Sequence, residues 1–456
     1  MSPKKLSCFK AYDVRGRIPD ELNNNLVHDI GHAYAAVVVP KHVVVGYDVR
    51  LTSENLVDSL IDALNASGVN VSLLGMCGTE EVYFATAHLK ADGGIMVTAS
   101  HNPRDYNGLK FVREDARPIS KDSGLLEIEA ASLVKVRPFR KGKGTTEIIN
   151  LRHIYLKHIL SYVDAKGIKP FKIVANSGNG CAGPVIDELE KALPFDFVKV
   201  HHQPDGNFPN GVPNPLLPEN RAPTAESIKR TNANFGLAWD GDFDRCFFFD
   251  EKGEFIEGYY IVGLLATQLL KRHPKQKIIH DPRLIWNTVD LVTEAGGIPV
   301  QCKSGHAFIK ERMRKENALY GGEMSAHHYF REFSYADSGM IPWLLVAEAM
   351  SSSGQKLSNL VGQRIEMYPA SGEINRRINN PTRATEEIKS RYALKANSID
   401  ETDGLSLEFD TWRFNLRNSN TEPVIRLNVE SHGDIRLMQE KTEELLRFLA
   451  SFSDKD

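Results

Sequence analysis

One architectural unit recurs three times along this chain and limits the folds open to it. Each copy runs apolar strand, polar loop, amphipathic helix and second short strand. The copies are KHVVVGYDVRLTSENLVDSLIDALNASGVNVSLLG, FKIVANSGNGCAGPVIDELEKALPFDFVKV and QKIIHDPRLIWNTVDLVTEAGGIPVQC. In the first, Leu56, Leu60, Ile61 and Leu64 fall at helical spacing between two valine-rich runs that read as strands. This is a βαβ signature three times over. The copies lie roughly 120 residues apart, too far for a solenoid, so each begins or centres an α/β domain of its own. A chain of 456 residues is too long for one core. The final segment changes character: EINRRI, LSLEFD, WRFNLR and VIRLNVE read as strands. DIRLMQEKTEELLRFLAS reads as a helix with Ile435, Met438, Leu445 and Leu449 on one side. A smaller α+β domain therefore closes the chain after the Pro- and Gly-containing MYPASG, while VRPFRKGKGT is expected to be a solvated linker.

Composition is that of an ordinary globular protein, with 41% hydrophobic and 25% charged residues. A net charge of -3 supplies no basic field for a nucleic-acid backbone, so anion recognition has to come from local clusters, which suits small phosphorylated ligands. No signal-peptide h-region and no run of roughly 18 apolar residues is present, so a cytoplasmic protein without a membrane partner is expected. Five cysteines without CxxC spacing predict reduced thiols and neither disulfides nor a zinc site. Nothing in the sequence sets the oligomeric state.

Against this background a few polar clusters stand out. In MVTASHNPRDYNGLK, the apolar GGIMV run ends just before Ser100, and Asn102-Pro103 and Asn107-Gly108 are turn dipeptides. Ser100 is thus placed on a loop at a strand end, where an α/β sheet can present a reactive group, although a polar turn would use the same residues. DGDFDR sets Asp240, Asp242 and Asp244 at alternate positions, as oxygen ligands for a hard divalent cation require. A solvated acidic turn is the alternative. An EF-hand would need Gly where Arg245 stands, and helices where NFGLAW and CFFFDEKGEF read as strands. NSGNGCAG holds a GxGxxG between strand and helix, the dinucleotide-binding fingerprint. The next strand, however, ends in His201-His202 with no acid for a ribose, and a glycine-rich interdomain loop is the other reading. Polar groups also gather at KSGHAFIK, GEMSAH and RNSNTEP, the last offering a guanidinium beside short polar side chains that suit a phosphate.

Taken in order, ASHNP, DGDFDR, SGH, GEMSAH and RNSNTEP resemble the α-D-phosphohexomutase family, and most nearly its bacterial phosphomannomutase branch, over essentially the whole chain. The resemblance implies three similar α/β domains of mixed sheets flanked by helices, and a C-terminal α+β domain of the TATA-binding-protein-like type, around a central cleft. The boundaries expected are 1–147 with the phosphoserine loop, 148–251 with the metal loop, 252–364 with the sugar-binding loop and 365–456 for the phosphate-binding domain. It implies that Ser100 carries a phosphoryl group and that Asp240, Asp242 and Asp244 hold Mg²⁺ against it. Arg15, His101, Lys110 and Arg245 would surround the reacting phosphate, with Lys110 or His101 as general base. Glu323 and Ser325 would grip sugar hydroxyls, His306 and His327 would line the cleft, and Arg417, Ser419, Asn420 and Thr421 would bind the phosphate not being transferred. Where the family often has Gly at the centre of the metal loop this chain has Phe243, whose ring is expected to point away from the ion along an extended loop. The implied reaction interconverts mannose 6-phosphate and mannose 1-phosphate through a bound hexose 1,6-bisphosphate, with dual mannose/glucose or glucose specificity as the nearby alternative. A dinucleotide-binding oxidoreductase resting on NSGNGCAG, and a noncatalytic phosphosugar-binding protein, are the rivals from other classes.

Overall fold

The computed structural model describes residues 5–138, 142–418 and 424–452. The chain packs into two compact units, residues 1–255 with 327–354 and residues 256–326 with 355–456. Three α/β domains and a C-terminal sheet-and-helix domain are built along it, as the recurring unit predicts. Among the described residues no helix is long and apolar enough to cross a membrane.

The first unit opens with a six-stranded mixed sheet in the order Val14–Arg17, Tyr106–Arg113, Gly93–Val97, His42–Tyr47, Asn70–Met76, Thr146–Ile148. The valine run of His42–Tyr47 forms a central strand, parallel to Gly93–Val97 on one side and to Asn70–Met76 on the other. Val43, Val44 and Val45 are fully buried, which is why this short segment is a strand with almost no polar alternation. The connecting helix, Ser53–Ala66, buries Leu56, Val57, Leu60 and Leu64 against it. Residues 139–141 of the expected linker lie outside the described residues, and soon after them Thr146–Ile148 pairs with Asn70–Met76 at the sheet edge. The second copy gives Lys172–Asn176, the helix Ala182–Glu190 and Asp196–Val200, with the two strands parallel. Phe235–Trp239 lies beside Lys172–Asn176, and Cys246–Phe249 returns antiparallel to it.

In the second unit Lys277–His280 is flanked in parallel by Ile298–Gln301 and Tyr320–Gly322, with Trp286–Glu294 as the crossover helix. The C-terminal domain is a fully antiparallel sheet in the order Ile374–Arg377, Val424–Ser431, Trp412–Asn418, Leu405–Glu408, Ser398–Asp400. Leu445 and Leu449 of the last helix pack on its Phe414, Leu416, Leu427 and Val429.

One buried carboxylate joins three segments of the first unit. Glu80, in the helix Thr79–His88, accepts from Tyr155 Oη at 2.5 Å, Ser338 Oγ at 2.8 Å, the Gly339 amide and the Met340 amide at 3.3 Å. Ser338 Oγ also accepts from the Met340 and Ile341 amides, so serine and glutamate together satisfy the N-terminal donors of the helix Ile341–Ser353. Removing the carboxylate strands three buried donors at once, Tyr155 Oη, Ser338 Oγ and the Gly339 amide. Glu80→Ala should therefore destabilise the first unit by roughly 3 kcal/mol or more, against about 1 kcal/mol for Tyr155→Phe. Urea unfolding of the two variants checks both values, and a neutral Glu80→Ala would show that the joint contributes nothing.

Candidate active site

The strand Gly93–Val97 delivers Ser100 to a tight turn in which its φ is +49, a left-handed conformation uncommon for a non-glycine residue. Its neighbour across the first unit is the hairpin loop between Phe235–Trp239 and Cys246–Phe249, which carries the aspartates. Ser100 Oγ donates to Asp240 Oδ2 at 2.8 Å and lies 3.0 Å from His101 Nδ1, while Arg245 Nη2 is 3.5 Å from the same Oγ. The flanking strands rule out an EF-hand, whose loop needs helices on both sides. Phe243 departs from the extended path expected of it: its φ is +43, its amide donates to Asp240 O, and the loop is a turn. The ring does leave the carboxylates, and it lies flat enough on Gly78 that a Cβ there would sit 2.2 Å from Cε1. The Thr79 amide then donates to Asp242 O, tying the loop to the helix that holds Glu80.

The NSGNGCAG loop supports this hairpin, and its glycines meet protein where a dinucleotide fold would place pyrophosphate. A Cβ on Gly180 would lie 2.6 Å from Gly241 O, and one on Gly241 would lie 2.8 Å from Ser100 O. Close backbone stacking, from the glycine loop through the metal loop to the serine turn, is what the small residues permit.

Charge is concentrated here and almost wholly buried. Lys110 Nζ donates to Asp242 Oδ2 and Asp244 Oδ2, both at 2.6 Å, and Thr79 Oγ1 donates to the same Asp242 oxygen. Burial would lower the lysine's pKa, but Asp242 and then Asp244 raise it well above the ordinary range, so Lys110 stands as a cation. Burial raises the pKa of Asp242, and the charge and hydrogen bond of Lys110 more than reverse this, holding it below the usual carboxylate range. Asp244 is pushed up to about 6 by burial and then by the charge of Asp242. His101 is driven well below the usual imidazole range by burial, then by Arg245 and Arg15, and is neutral. Its Nδ1 also faces Arg245 Nη2 closely. Arg245 pairs with Asp240 Oδ2 at 2.7 Å, and Arg15 with Asp13 at 2.8 Å and Asn102 Oδ1 at 2.8 Å. His327 joins the group from the far end of the unit, bridged through its backbone to Arg245 and with Nδ1 3.1 Å from Asp337 Oδ2.

The second unit holds a separate constellation centred on a residue the motifs do not include. Arg283, 3% exposed, donates to Asp281 Oδ2 at 2.9 Å, Glu373 Oε2 at 3.2 Å, Ser325 Oγ at 3.3 Å and Glu323 Oε1 at 3.5 Å. Glu323 Oε1 also accepts the Gly305 amide at 2.9 Å, beside His306 at the start of the helix His306–Glu316. Glu373 continues the network to Arg417 at 3.3 Å, and Arg417 reaches Asp403 at 3.1 Å. Burial raises the pKa of Glu373, and Arg283, Arg426 and Arg417 bring it down below the usual range. Ser419, Asn420 and Thr421 lie outside the described residues.

Comparison with known proteins identifies the family. The four models of the phosphoglucomutase/phosphomannomutase family match in order: α/β/α domain I over residues 7–133, domain II over 153–253, domain III over 257–368 and the C-terminal domain over 373–447. The chain belongs to the phosphoglucomutase/phosphomannomutase family. A phosphomannomutase of Salmonella montevideo is 58% identical over 455 residues, covering 98% of this chain and 99% of the relative. A protein of Xanthomonas campestris pv. campestris described as phosphohexose mutases is 57% identical over 97% of this chain and 99% of its own. Among solved structures, a family protein of Burkholderia thailandensis superposes with a TM-score of 0.88 at 30% identity, covering 98% of this chain and 97% of the other.

Within this phosphohexomutase the sequence motifs overlooked Arg50, Thr79, Asp281, Arg283, Glu373 and Asp403. Three of them, Arg50, Asp281 and Arg283, had a signal. Asp48-Val-Arg50 and Asp281-Pro-Arg283 occupy the same place in the first and third copies of the recurring unit, directly after its first strand. A divalent cation fits the aspartate loop on a direct observation: Asp240, Asp242 and Asp244 offer ligand atoms within 4.8 Å of one another. Each also keeps a buried Oδ1 without a hydrogen-bond partner among the described residues. A cation at about a hundred times its dissociation constant adds about 2.7 kcal/mol to stability. Mg²⁺ should therefore raise the thermal midpoint, and a chelator should reverse the rise. Because Asp244, at about 6, must lose its proton to serve as a ligand, the rise should be larger near pH ~7.5 than near ~5.5. A midpoint that ignores Mg²⁺, or responds equally in Asp240→Asn, would contradict the assignment.

Proposed function

We propose that this chain interconverts mannose 6-phosphate and mannose 1-phosphate, with Ser100 as the phosphoryl carrier and a hexose 1,6-bisphosphate as the bound intermediate. It acts as an intramolecular phosphotransferase of the isomerase class, in the cytoplasm, on a small phosphosugar. One observation carries the reading: Ser100 Oγ sits 2.8 Å from a carboxylate of a three-aspartate loop and within reach of a fixed guanidinium.

In the first half of the reaction the free hydroxyl oxygen of the sugar phosphate attacks the phosphorus on Ser100. A new O–P bond forms as the Ser100 Oγ–P bond breaks, and the serine oxygen takes up a proton. In the second half Ser100 Oγ attacks the other phosphate of the bisphosphate, and the isomerised monophosphate leaves. Little covalent chemistry falls to the protein, so positioning and charge neutralisation dominate. A divalent cation held by Asp240, Asp242 and Asp244, Mg²⁺ in this reading, would offset charge on the transferring group. Arg245, Arg15 and Lys110 supply fixed positive charge around it. Lys110, pinned between two carboxylates, serves as that charge, and His101 has its Nδ1 turned to Arg245. The proton of the attacking hydroxyl goes to Lys110 or His101, and of the two His101, held neutral 3.0 Å from Ser100 Oγ, is the group able to accept it. Glu323 and Ser325, held by Arg283, grip the sugar hydroxyls, with His306 beside them. Arg417, with Ser419, Asn420 and Thr421, takes the phosphate that is not moving.

Glucose and mannose differ only at C2, and neither Glu323 nor Ser325 is assigned there. A site discriminates strongly only where the wrong ligand leaves buried groups unpaired. Mannose phosphates should be preferred, glucose phosphates turned over measurably, and glucosamine phosphates poor, since glucosamine mutases carry GEQS where this chain has Gly322-Glu323-Met324-Ser325. Initial rates with the three 1-phosphates, each started with its own bisphosphate, check the order. Ser100→Ala should abolish turnover in the same assay, and addition of NAD should change nothing. A normal rate in Ser100→Ala, or a marked preference for glucosamine 1-phosphate, would overturn the reading.

A further inference from the structure

Arg50 makes an unusual set of contacts. Its Nη1 donates to Pro103 O at 2.7 Å and Tyr106 O at 2.9 Å, and its Nη2 to Ser100 O at 2.8 Å and Asn102 O at 2.6 Å. The four hydrogens of the two terminal nitrogens meet four backbone carbonyls, all on the turn that carries Ser100. Asp48 anchors the guanidinium through a 3.3 Å ion pair and also accepts from Thr98 Oγ1 at 2.6 Å, Ser53 Oγ at 2.7 Å and the Arg50 amide at 3.0 Å. Thr98 Oγ1 in turn accepts the Ser100 amide at 2.8 Å. Ser100 is therefore held on both sides of its Cα, its N–H through Thr98 to Asp48 and its C=O by Arg50. Phe208 covers the guanidinium with its ring centroid 5.4 Å away, and Arg50 is only 3% exposed. The Asn-Pro dipeptide does not fix this turn by itself, since Asn102 O and Pro103 O are two of the four carbonyls Arg50 grips.

We propose that Arg50, anchored by Asp48, is a positioning residue that holds Ser100 in its left-handed conformation so that Oγ stays in line for phosphoryl transfer. This rests on the reading of Ser100 as the carrier. A φ of +49 at a serine costs of the order of 1–3 kcal/mol and persists only where its surroundings fix it. Here those surroundings are a buried aspartate and the planar fork of one guanidinium. An ammonium has no such fork, so charge alone does not replace it. The second unit uses the same device at the same place in the recurring unit: Asp281 pairs with Arg283, and Arg283 contacts Glu323 and Ser325. The first copy orders a backbone turn and the third orders two side chains.

The test is the single-turnover rate at which hexose 1,6-bisphosphate phosphorylates Ser100, followed by peptide mass, in the wild-type chain, Arg50→Lys, Arg50→Gln and Thr98→Val. Misplacing a reacting atom by about 1 Å costs about 100-fold, so Arg50→Gln should slow phosphorylation about 100-fold and move KM for mannose 1-phosphate by less than about 3-fold. Arg50→Lys should stay within about 10-fold of Arg50→Gln, because the lost element is the fork. Thr98→Val, which removes the tether of the Ser100 amide and one of the donors to Asp48 but leaves the guanidinium in place, should slow the step about 10-fold with only a modest fall in the thermal midpoint. It decides the matter if Arg50→Gln does not fold. Wild-type phosphorylation rates in Arg50→Lys or Thr98→Val, or a loss confined to KM, would overturn the proposal. Failure of the wild-type chain to take phosphate on Ser100 would instead remove the reading on which it rests.

Discussion

Three carboxylates brought together in a dry loop repel one another, and much of the first unit is organised around that repulsion. Asp240 and Asp242 are fully buried and Asp244 is 2% exposed, so water screens none of them. Lys110 and Arg245 offset part of the charge, each from a different segment of the chain. They do so mainly through the Oδ2 atoms and, among the described residues, leave each Oδ1 without a hydrogen bond, a pattern that suits sharing the negative charge with a cation. The serine turn, the helix of Glu80 and the glycine loop are fastened to this hairpin by close backbone contacts. Moving any of them disturbs the charge balance.

The two units solve different problems with related means. Around Ser100 buried carboxylates and fixed cations alternate, and in the proposed reaction they would face the transferring phosphoryl group, where rigidity would contribute directly to rate. Around Glu323 a single buried arginine is surrounded by Asp281, Glu373, Glu323 and Ser325, and these mutually hold side chains whose oxygens suit hydroxyl groups. Neutral hydroxyls need directional partners more than net charge. An arginine saturated with carboxylates supplies direction without leaving a strong field.

What the sequence made legible follows from which interactions are local. The βαβ copies were readable because burial of Val43, Val44, Val45 and the Leu56–Leu60–Leu64 stripe leaves a periodic trace in neighbouring residues. Ser100 and the aspartate triplet were readable because strand ends, turn dipeptides and alternate carboxylates are short-range patterns. Arg50 was legible only as half of a repeated Asp-x-Arg and not as a clamp on the serine turn, because its partners there are carbonyl oxygens 50 to 56 residues away and a carbonyl leaves no mark on residue type. Glu80 was hidden in the same way, with partners 75 and 258 to 260 residues distant. Phe243 was read as extended, since alternation implies a strand. Its left-handed turn becomes possible through the space beside Gly78, a residue from another domain of the same unit. NSGNGCAG shows the converse, a local pattern that fits a dinucleotide site while its glycines are used for packing.

The decisive question is whether the phosphate that reaches the sugar comes from Ser100. Enzyme carrying ³²P on Ser100 can be mixed with unlabelled mannose 1-phosphate and quenched within a single turnover. The label should leave the protein and appear in hexose 1,6-bisphosphate at least as fast as steady-state turnover. Label that stays on the protein while unlabelled substrate is isomerised would contradict it.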